Sequence, residues 1–238
     1  MCGICGFNFE DTNLAKAMAD SIRHRGPDSD GVYTDNGISL GDRRLKIIDL
    51  SINGRMPMTN QDGNLVITFN GEIYNFQSIR NELEKKNHRF KSRTDTEVIL
   101  YAYQEYGSEC VKLFNGDFAF AIWDSRKKEL FLARDRIGIK PLYYYNKNGK
   151  FIFASEIKAI LQHRDVKRVL NENCLRQVIF YAYPIMEETL LNDILELKPG
   201  HFLILKNNKI KIRKYWDLQV NETAKTEDFY KKNVQYLL

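Results

Sequence analysis

The chain has 238 residues, of which 43% are hydrophobic and 28% charged, and its formal net charge is +5. This composition is typical of a globular protein that folds in water, and the length allows one large domain or two small ones. Basic and acidic residues interleave along the chain, which argues against a nucleic-acid surface, and no apolar run approaches the roughly 20 residues that span a bilayer. No signal peptide is visible, so we expect a cytoplasmic protein without a nucleic-acid or membrane partner.

The four cysteines are Cys2, Cys5, Cys110 and Cys174. So few cysteines in a chain of this size favour a reducing compartment over a disulfide framework. Cys2 and Cys5 form a C-x-x-C pair, which leaves open a redox-active pair or half of a zinc site. Since neither the other cysteines nor the four histidines have ligand spacing, the sequence predicts no metal site.

The first half of the chain predicts both helices and strands. In chain order these are a helix marked by Leu14, Met18 and Ile22, strands at Gly31–Thr34, Ile38–Leu40 and Leu65–Phe69, a helix at Asn75–Lys86, and a helix marked by Ile99, Ala102, Tyr103 and Tyr106. Asn36-Gly37 favours a type I′ turn between the first two strands. Thr94 followed by Glu97 is typical of a capping box, which predicts where the last of these helices begins.

The second half of the chain predicts mainly hairpins. In chain order the elements are strands at Phe118–Trp123, Glu129–Ala133, Leu142–Tyr145 and Phe151–Ala154, a helix marked by Ile157, Ile160 and Leu161, strands at His201–Leu205 and Lys209–Arg213, and the start of a helix at Phe229–Leu238. Strands joined by hairpins form antiparallel sheets. The pattern therefore predicts an α+β fold in which helices cover antiparallel sheets.

The position of Cys2 suggests nucleophilic chemistry. Removal of Met1 would place a thiol and a free α-amine on one residue. An α-amine titrates near pH 8, so it can take the proton of the thiol and return it to a leaving group. The alternative is that a cysteine at this position is an accident of composition.

Asn70 and Gly71 suggest an oxyanion hole. They follow the apolar strand at Leu65–Phe69 and precede a helix. A side-chain amide beside a glycine N–H offers two convergent donors, and glycine lets the backbone approach a ligand closely. Asn-Gly is also an ordinary turn signal, so this pair alone leaves both interpretations open.

Arg44 and Asp95 suggest a charged clamp. Arg44 stands at the edge of an apolar run, where a guanidinium can bind a carboxylate with two hydrogen bonds. A surface salt bridge is the alternative. Asp95 lies in the first turn of its predicted helix, where a carboxylate can bind a substrate ammonium or only cap the helix.

Taken together, the motifs resemble those of class II glutamine amidotransferases, which are N-terminal-nucleophile hydrolases. The likeness is closest to the glutaminase domain of glutamine-hydrolysing asparagine synthetases and covers about residues 1–216. The motifs that carry it are MCGICG, RHRGPD, RLKIID, FNGEIYN, TDTEVIL, GDFAFAIWD, ARDRIGIKPLYY and FASEIKAIL. The resemblance implies a four-layer αββα sandwich, with two antiparallel sheets between helices.

The resemblance also implies a role for each matching residue. Cys2 would be the nucleophile and its α-amine the proton shuttle, with the Asn70 amide and the Gly71 N–H as oxyanion hole. The residues implied to hold the amino-acid end of glutamine are Arg44 for the α-carboxylate, the backbone at Ile47 and Ile48 for the same end, and Glu72 and Asp95 for the α-ammonium.

The second domain of such a synthetase would carry a Ser-Gly-Gly-x-Asp-Ser loop for ATP, and this chain has none. We therefore expect a glutaminase domain at residues 1–216, followed by a linker and the truncated start of a synthetase domain at 217–238. No cofactor is expected in this chain, because ATP and Mg²⁺ would belong to the synthetase domain, in cis or in a partner chain. A homodimer is also compatible with the resemblance.

The resemblance implies the hydrolysis of glutamine to glutamate and ammonia, with the ammonia used to make asparagine from aspartate. Three alternatives stay open. The ammonia could serve another acceptor, such as a cell-surface sugar. The chain could bind glutamine without turning it over if Met1 is retained. It could also be a redox protein that uses Cys2 and Cys5.

Overall fold

The computed structural model describes residues 1–35, 37–185, 187–220 and 225–237. Its strands form two six-stranded sheets in which the strand pairings are antiparallel. In chain order the strands are β1 (Gly3–Phe7), β2 (Ser29–Asp35), β3 (Ile38–Arg44), β4 (Met58–Thr59), β5 (Leu65–Ile73), β6 (Gly116–Asp124), β7 (Glu129–Arg134), β8 (Tyr143–Lys147), β9 (Lys150–Ala154), β10 (Ile194–Glu196), β11 (His201–Lys206) and β12 (Lys209–Lys214).

The strand order is β10-β8-β9-β1-β3-β2 in the first sheet and β12-β11-β7-β6-β5-β4 in the second. The described α-helices are α1 (Thr12–Ser21), α2 (Phe76–Lys85), α3 (Asp95–Tyr106), α4 (Ile157–Ile160), α5 (Glu172–Tyr181) and α6 (Glu227–Leu237). None of them is long and apolar enough to cross a membrane.

Three hydrophobic layers separate four layers of secondary structure. The two sheets pack face to face through one cluster, α1 and α4 cover the outer face of the first sheet, and α2 and α3 cover the outer face of the second. This arrangement confirms the predicted αββα sandwich. Strand β6 shows the sequence logic, because side chains alternate between the two faces of a strand. Phe118 and Phe120 face the helices, whereas Ala119 and Ala121 face the other sheet.

The predicted hairpins are confirmed as the pairs β2–β3, β6–β7, β8–β9 and β11–β12. The predicted turn at Asn36-Gly37 falls partly on Asn36, which lies outside the described residues. Asn70 and Gly71 lie within β5, so the alternative that they form a turn after the strand is wrong. Helix α5 was not predicted from the sequence.

The capping box at Thr94 is confirmed in one half only. The Thr94 side chain accepts a hydrogen bond from the N–H of Glu97, as expected for the first residue before α3. The Glu97 carboxylate does not return to Thr94 but accepts the N–H groups of Lys91 and Ser92. It therefore ties the loop before the helix to the first turn, which anchors α3 beside the second sheet.

The boundary at residues 216 and 217 stays a prediction. Helix α6 confirms the helix predicted near Phe229, and its described residues are largely exposed. Residues 221–224 and 238, which fall in the predicted linker and synthetase start, lie outside the described residues.

Candidate active site

Cys2 immediately precedes β1, a central strand of the first sheet. Strand β1 begins at Gly3 and runs between β9 and β3. The backbone N–H of Leu45, the residue that follows β3, donates to the Cys2 sulfur at 3.3 Å. The half-buried thiol is thereby fixed beside the segment that leaves β3.

A cavity of about 230 Å³ opens beside this thiol. It is smaller than the roughly 300–1,000 Å³ of sites for drug-sized ligands, so its size suits a small metabolite. All of the predicted site residues line it: Cys2, Arg44, Ile47, Ile48, Asn70, Gly71, Glu72 and Asp95. The structure thus brings these residues together, while their chemical roles stay predictions.

The Asn70 side chain is completely buried on the cavity wall. Neither its amide nitrogen nor its amide oxygen has a hydrogen-bond partner in the described part of the chain. Buried polar groups are almost always paired, so an unpaired amide requires an explanation. A ligand bound in the cavity would supply the missing partner.

The backbone N–H of Gly71 points to the edge of β5 on which Asp95 lies. Strand β4 pairs only near the start of β5, so one edge of β5 is uncovered by other strands around Asn70 and Gly71. Across that edge Ile73 donates its N–H to the Asp95 carboxylate at 2.9 Å. N–H groups two residues apart in a strand point the same way, so Gly71 presents its N–H at this edge, beside Asn70.

Only glycine fits at position 71. A Cβ atom there would collide with the carbonyl oxygen of Asp117 on the neighbouring strand β6. The glycine therefore lets β5 and β6 approach each other closely at the point where the Asn70 amide enters the cavity.

Arg44, the last residue of β3, is only 4% exposed. Its guanidinium donates to the backbone carbonyls of Asp49 and Ser51. Among the described residues it takes part in no ion pair, unlike its neighbour Arg43. The alternative of a surface salt bridge at Arg44 is therefore wrong, and a buried cation without a carboxylate partner lines the cavity.

Asp95 is also 4% exposed. Its two carboxylate oxygens accept the N–H groups of Ile73 and Thr96, each at 2.9 Å. Burial raises the pKa of Asp95 to about 6, against the lowering effect of these two hydrogen bonds. Glu72, on the neighbouring cavity wall, adds a second negative charge that also raises it. This end of the cavity is therefore suited to bind a cation.

Ile47 and Ile48 lie in the segment after β3, and their side chains are 56% and 39% exposed. They line the cavity mouth. This position is compatible with the predicted contact through their backbone.

The Cys2 thiol is held neutral. Burial is the largest cause that raises the pKa of the thiol to about 11, with a smaller contribution from Asp42, although the Leu45 N–H lowers it. Asp42 is itself fully buried between the sheets, and burial raises its pKa well above the usual range. At neutral pH a nucleophilic Cys2 therefore requires a base that removes its proton.

Cys2 and Cys5 are not arranged as a redox pair. Residues three apart in an extended chain lie on opposite faces, and Cys5 packs among α1 and the outer face of the first sheet, with its sulfur near the Ala15 carbonyl oxygen. Both cysteines are free thiols. In the described part of the chain, no three His, Cys, Asp or Glu side chains are placed to hold a metal ion.

Three residues of the site were not predicted from the sequence. Leu45 contributes the N–H that contacts the Cys2 sulfur. Asp49 accepts the N–H groups of Ser51 and Arg93, which lowers its pKa to about 2 and anchors the loop that Arg44 binds. Lys140 also lines the cavity, and its Nζ lies 3.4 Å from the Met1 sulfur. All three stand in motifs quoted for the resemblance, Leu45 and Asp49 in RLKIID and Lys140 in ARDRIGIKPLYY, but no role was predicted for them.

Comparison with known proteins identifies the family of this chain. The family model described as a glutamine amidotransferase domain matches residues 1–216. The chain belongs to this glutamine amidotransferase family. Glutamine-hydrolyzing asparagine synthetase 3 of Bacillus subtilis (strain 168) is 35% identical over all of this chain and 40% of its own length. Asparagine synthetase 2 of the same organism is 39% identical over 92% of this chain and 31% of its own length.

The solved structure of glutamine phosphoribosylpyrophosphate amidotransferase from B. subtilis, complexed with ADP and GMP, has the same fold. It superimposes with a TM-score of 0.66 at 17% identity, over 92% of this chain and 50% of its own length. These matches confirm the predicted family and the fold of N-terminal-nucleophile glutamine amidotransferases. The chain spans less than half of the length of either curated relative.

Proposed function

We propose that this chain hydrolyses glutamine to glutamate and ammonia through a thioester on Cys2. The observation that carries the proposal is the Asn70 amide, which is fully buried on the wall of the cavity that Cys2 also lines and has no partner among the described residues. A buried donor without a partner, beside a thiol and a backbone N–H, is the arrangement that stabilises an oxyanion in acyl transfer.

The first step follows from the neutral thiol. Met1 lines the cavity, and its removal would free the α-amine of Cys2 within reach of its own sulfur. The amine, with a pKa of about 8, takes the thiol proton, and the sulfur attacks the carbon of the glutamine side-chain amide. The C–S bond forms as the carbonyl π electrons move to oxygen, where the Asn70 amide and the Gly71 N–H bind the negative charge.

The intermediate then collapses. The electron pair on oxygen re-forms the carbonyl, the C–N bond breaks, and the ammonium of Cys2 returns its proton to the nitrogen, so ammonia leaves and a γ-glutamyl thioester remains. The same amine next takes a proton from water, whose oxygen attacks the thioester, and glutamate departs as the sulfur regains its proton.

The amino-acid end of glutamine carries one positive and one negative charge. Arg44, a buried cation that forms no ion pair within the described ranges, would bind the α-carboxylate. Asp95 and Glu72 would bind the α-ammonium, and pairing with it would favour the charged form of Asp95. The backbone at Ile47 and Ile48, at the entrance of the cavity, would contact the same end of glutamine.

We propose that the ammonia passes to an ATP-dependent synthetase domain or partner, for the synthesis of asparagine from aspartate. The names and greater length of the relatives support this proposal. ATP and Mg²⁺ would bind to that domain, and residues 217–238 would lead toward it. Four free cysteines fit a reducing compartment such as the cytoplasm.

A matched pair of proteins tests the hydrolysis. The full chain is made with an N-terminal extension whose proteolytic removal leaves Cys2 as the first residue, and intact mass verifies the cut. We expect glutamate to form from glutamine only after the cut. Glutamine binding without hydrolysis in the cut protein would instead indicate a non-catalytic binding module.

A further inference from the structure

Arg25 connects the Cys2 backbone to a carboxylate outside the cavity. Its Nε–H donates to the Cys2 carbonyl oxygen at 2.9 Å, and its Nη1 donates to the Glu156 carboxylate at 3.0 Å. The Arg25 side chain is only 11% exposed. One guanidinium thus bridges the candidate nucleophile and Glu156, neither of which is its neighbour in sequence.

Glu156 is itself held in place from two sides. His24 Nε2 lies 2.8 Å from the same carboxylate oxygen that Arg25 binds, and Lys158 Nζ lies 3.1 Å from the other oxygen. Burial raises the pKa of Glu156, but hydrogen bonds from Arg25, Lys158 and His24 outweigh it and lower the pKa overall. The carboxylate is therefore charged at neutral pH, as a firm anchor for Arg25 requires.

The backbone around this anchor is fixed to β1. Ser155, the residue before Glu156, donates its N–H to the Ile4 carbonyl oxygen at 2.8 Å, and its hydroxyl accepts the Ile4 N–H at 3.0 Å. These bonds continue the pairing of β9 with β1 beyond its last strand residues. The backbone that leads into Glu156 is therefore fixed relative to the first residues of the chain.

Gly3 leaves room for the bridge. A Cβ atom on Gly3 would lie 3.2 Å from the Arg25 Cδ and 2.8 Å from the Ile22 Cδ1. The Arg25 side chain thus crosses directly over Gly3 on its way from Cys2 to Glu156. A larger residue at this position would displace the arginine or the isoleucine.

We propose that Glu156 is a positioning residue for Cys2, which acts through Arg25. By holding the guanidinium it fixes the Cys2 carbonyl, and with it the backbone from which the thiol and the α-amine project. The proposal rests on the proposed glutamine hydrolysis, in which both groups must face the same substrate carbon. Small displacements of reacting groups are costly in such a step.

The test compares Glu156→Gln with a matched control. Glu84→Gln removes a similar Arg–Glu contact, 2.9 Å long, between Arg80 and Glu84 on α2, away from Cys2. We expect Glu156→Gln to lower kcat about 10- to 100-fold with little change in KM, because a misplacement of about 1 Å has an effect of this size. Glu84→Gln should leave both constants unchanged.

Two further variants test the route through Arg25. Arg25→Lys keeps a positive charge but lacks the planar fork whose Nε and Nη1 reach the Cys2 carbonyl and Glu156 separately, so it should resemble Glu156→Gln. The double variant should be no slower than the slower single variant, since both changes break the same connection. Additive losses would overturn the route through Arg25.

A second measurement does not depend on turnover. Iodoacetamide labelling, followed by peptide mass spectrometry, should modify Cys2 faster in Glu156→Gln than in the unaltered protein, while the buried Cys5 and Cys110 stay unlabelled. Equal Cys2 labelling, or kcat equal to that of the Glu84→Gln control, would overturn the positioning role. Absence of hydrolysis by the unaltered protein with a free Cys2 would instead refute the proposed function, and labelling would still decide the role of Glu156.

Discussion

The predicted amide end of the site, at Cys2 and Asn70, and its predicted amino-acid end, at Arg44 and Asp95, differ in how far the protein itself uses their polar groups. At the amide end, the Asn70 side chain has no hydrogen-bond partner in the described part of the chain. At the other end, Arg44 already donates to backbone carbonyls and Asp95 already accepts backbone N–H groups. The first end thus keeps its hydrogen-bonding capacity for a ligand, whereas the second is fixed in place before any ligand binds.

This difference indicates that one end serves catalysis and the other serves substrate binding. An unpaired buried amide costs about 1–3 kcal/mol of stability, so its retention is explained if it meets charge that develops during a reaction. Groups that are held by the backbone are suited to binding a substrate whose charges do not change. Changes at the first end should therefore act on kcat and changes at the second end on KM.

The largest effect is expected for Cys2→Ala, which should abolish glutamine hydrolysis while the protein stays folded. The sulfur forms the thioester, and alanine cannot replace it. Glutamate formation and thermal unfolding are measured on the same preparation. Cys5→Ser, which alters a buried thiol on the opposite face of β1, is the control and should keep far more activity. Equal loss in both variants would support the redox alternative.

Asn70→Ala should lower kcat about 10²- to 10³-fold, as expected for the loss of one oxyanion donor. Glutamine KM should change little, because the donor acts on charge that exists only in the transition state. Steady-state kinetics give both constants. Unchanged kcat with a raised KM would assign Asn70 to the binding end and remove the contrast between the two ends.

Arg44→Lys should weaken glutamine binding by about 2 kcal/mol, or roughly 30-fold, because an ammonium cannot reproduce the two-pronged contact with a carboxylate. Calorimetric titration of glutamine into the Cys2→Ala protein, with and without Arg44→Lys, measures this directly. The substitution also removes donors to the Asp49 and Ser51 carbonyls, so Tm should fall slightly. A fall in Tm without any change in Kd would show that Arg44 only supports its loop.

The smallest effect concerns pH. Below about pH 6 the Asp95 carboxylate of the free protein takes up a proton and loses its attraction for the α-ammonium. Glutamine Kd in the Cys2→Ala protein should therefore rise as pH falls below 6, by up to about tenfold per pH unit. Asp95→Asn should bind more weakly at neutral pH and show a flat profile. An equally steep profile in Asp95→Asn would assign the titration to another group, such as Glu72.

Much of this architecture could be predicted from local sequence. Turn signals between apolar segments marked the hairpins, apolar residues at helical spacing marked α1, α2 and α3, and the site residues stand in recognisable motifs. Helix α5 escaped prediction because it is only weakly anchored. Cys174 is its one buried residue, whereas Ile179 and Phe180 are 70% and 82% exposed, so its apolar residues do not mark a core-facing stripe.

The details of the site could not be predicted because they depend on contacts between distant segments. Asn70-Gly71 has the sequence of a turn, yet the close approach of Asp117 on β6 keeps it in a strand. The Leu45 N–H reaches Cys2 only because β1 and β3 are paired, with Gly3 opposite Arg43. The neutral state of the thiol likewise depends mainly on its burial, which only the folded chain provides.

The high pKa of Cys2 has a consequence for the lifetime of the protein. Peroxide and other oxidants attack the thiolate, so a thiol that burial keeps protonated is a poor target. The thiolate would form mainly in the presence of substrate, at the moment when the amine withdraws the proton. We therefore expect the resting protein to resist oxidative inactivation, although its proposed nucleophile lines an open cavity.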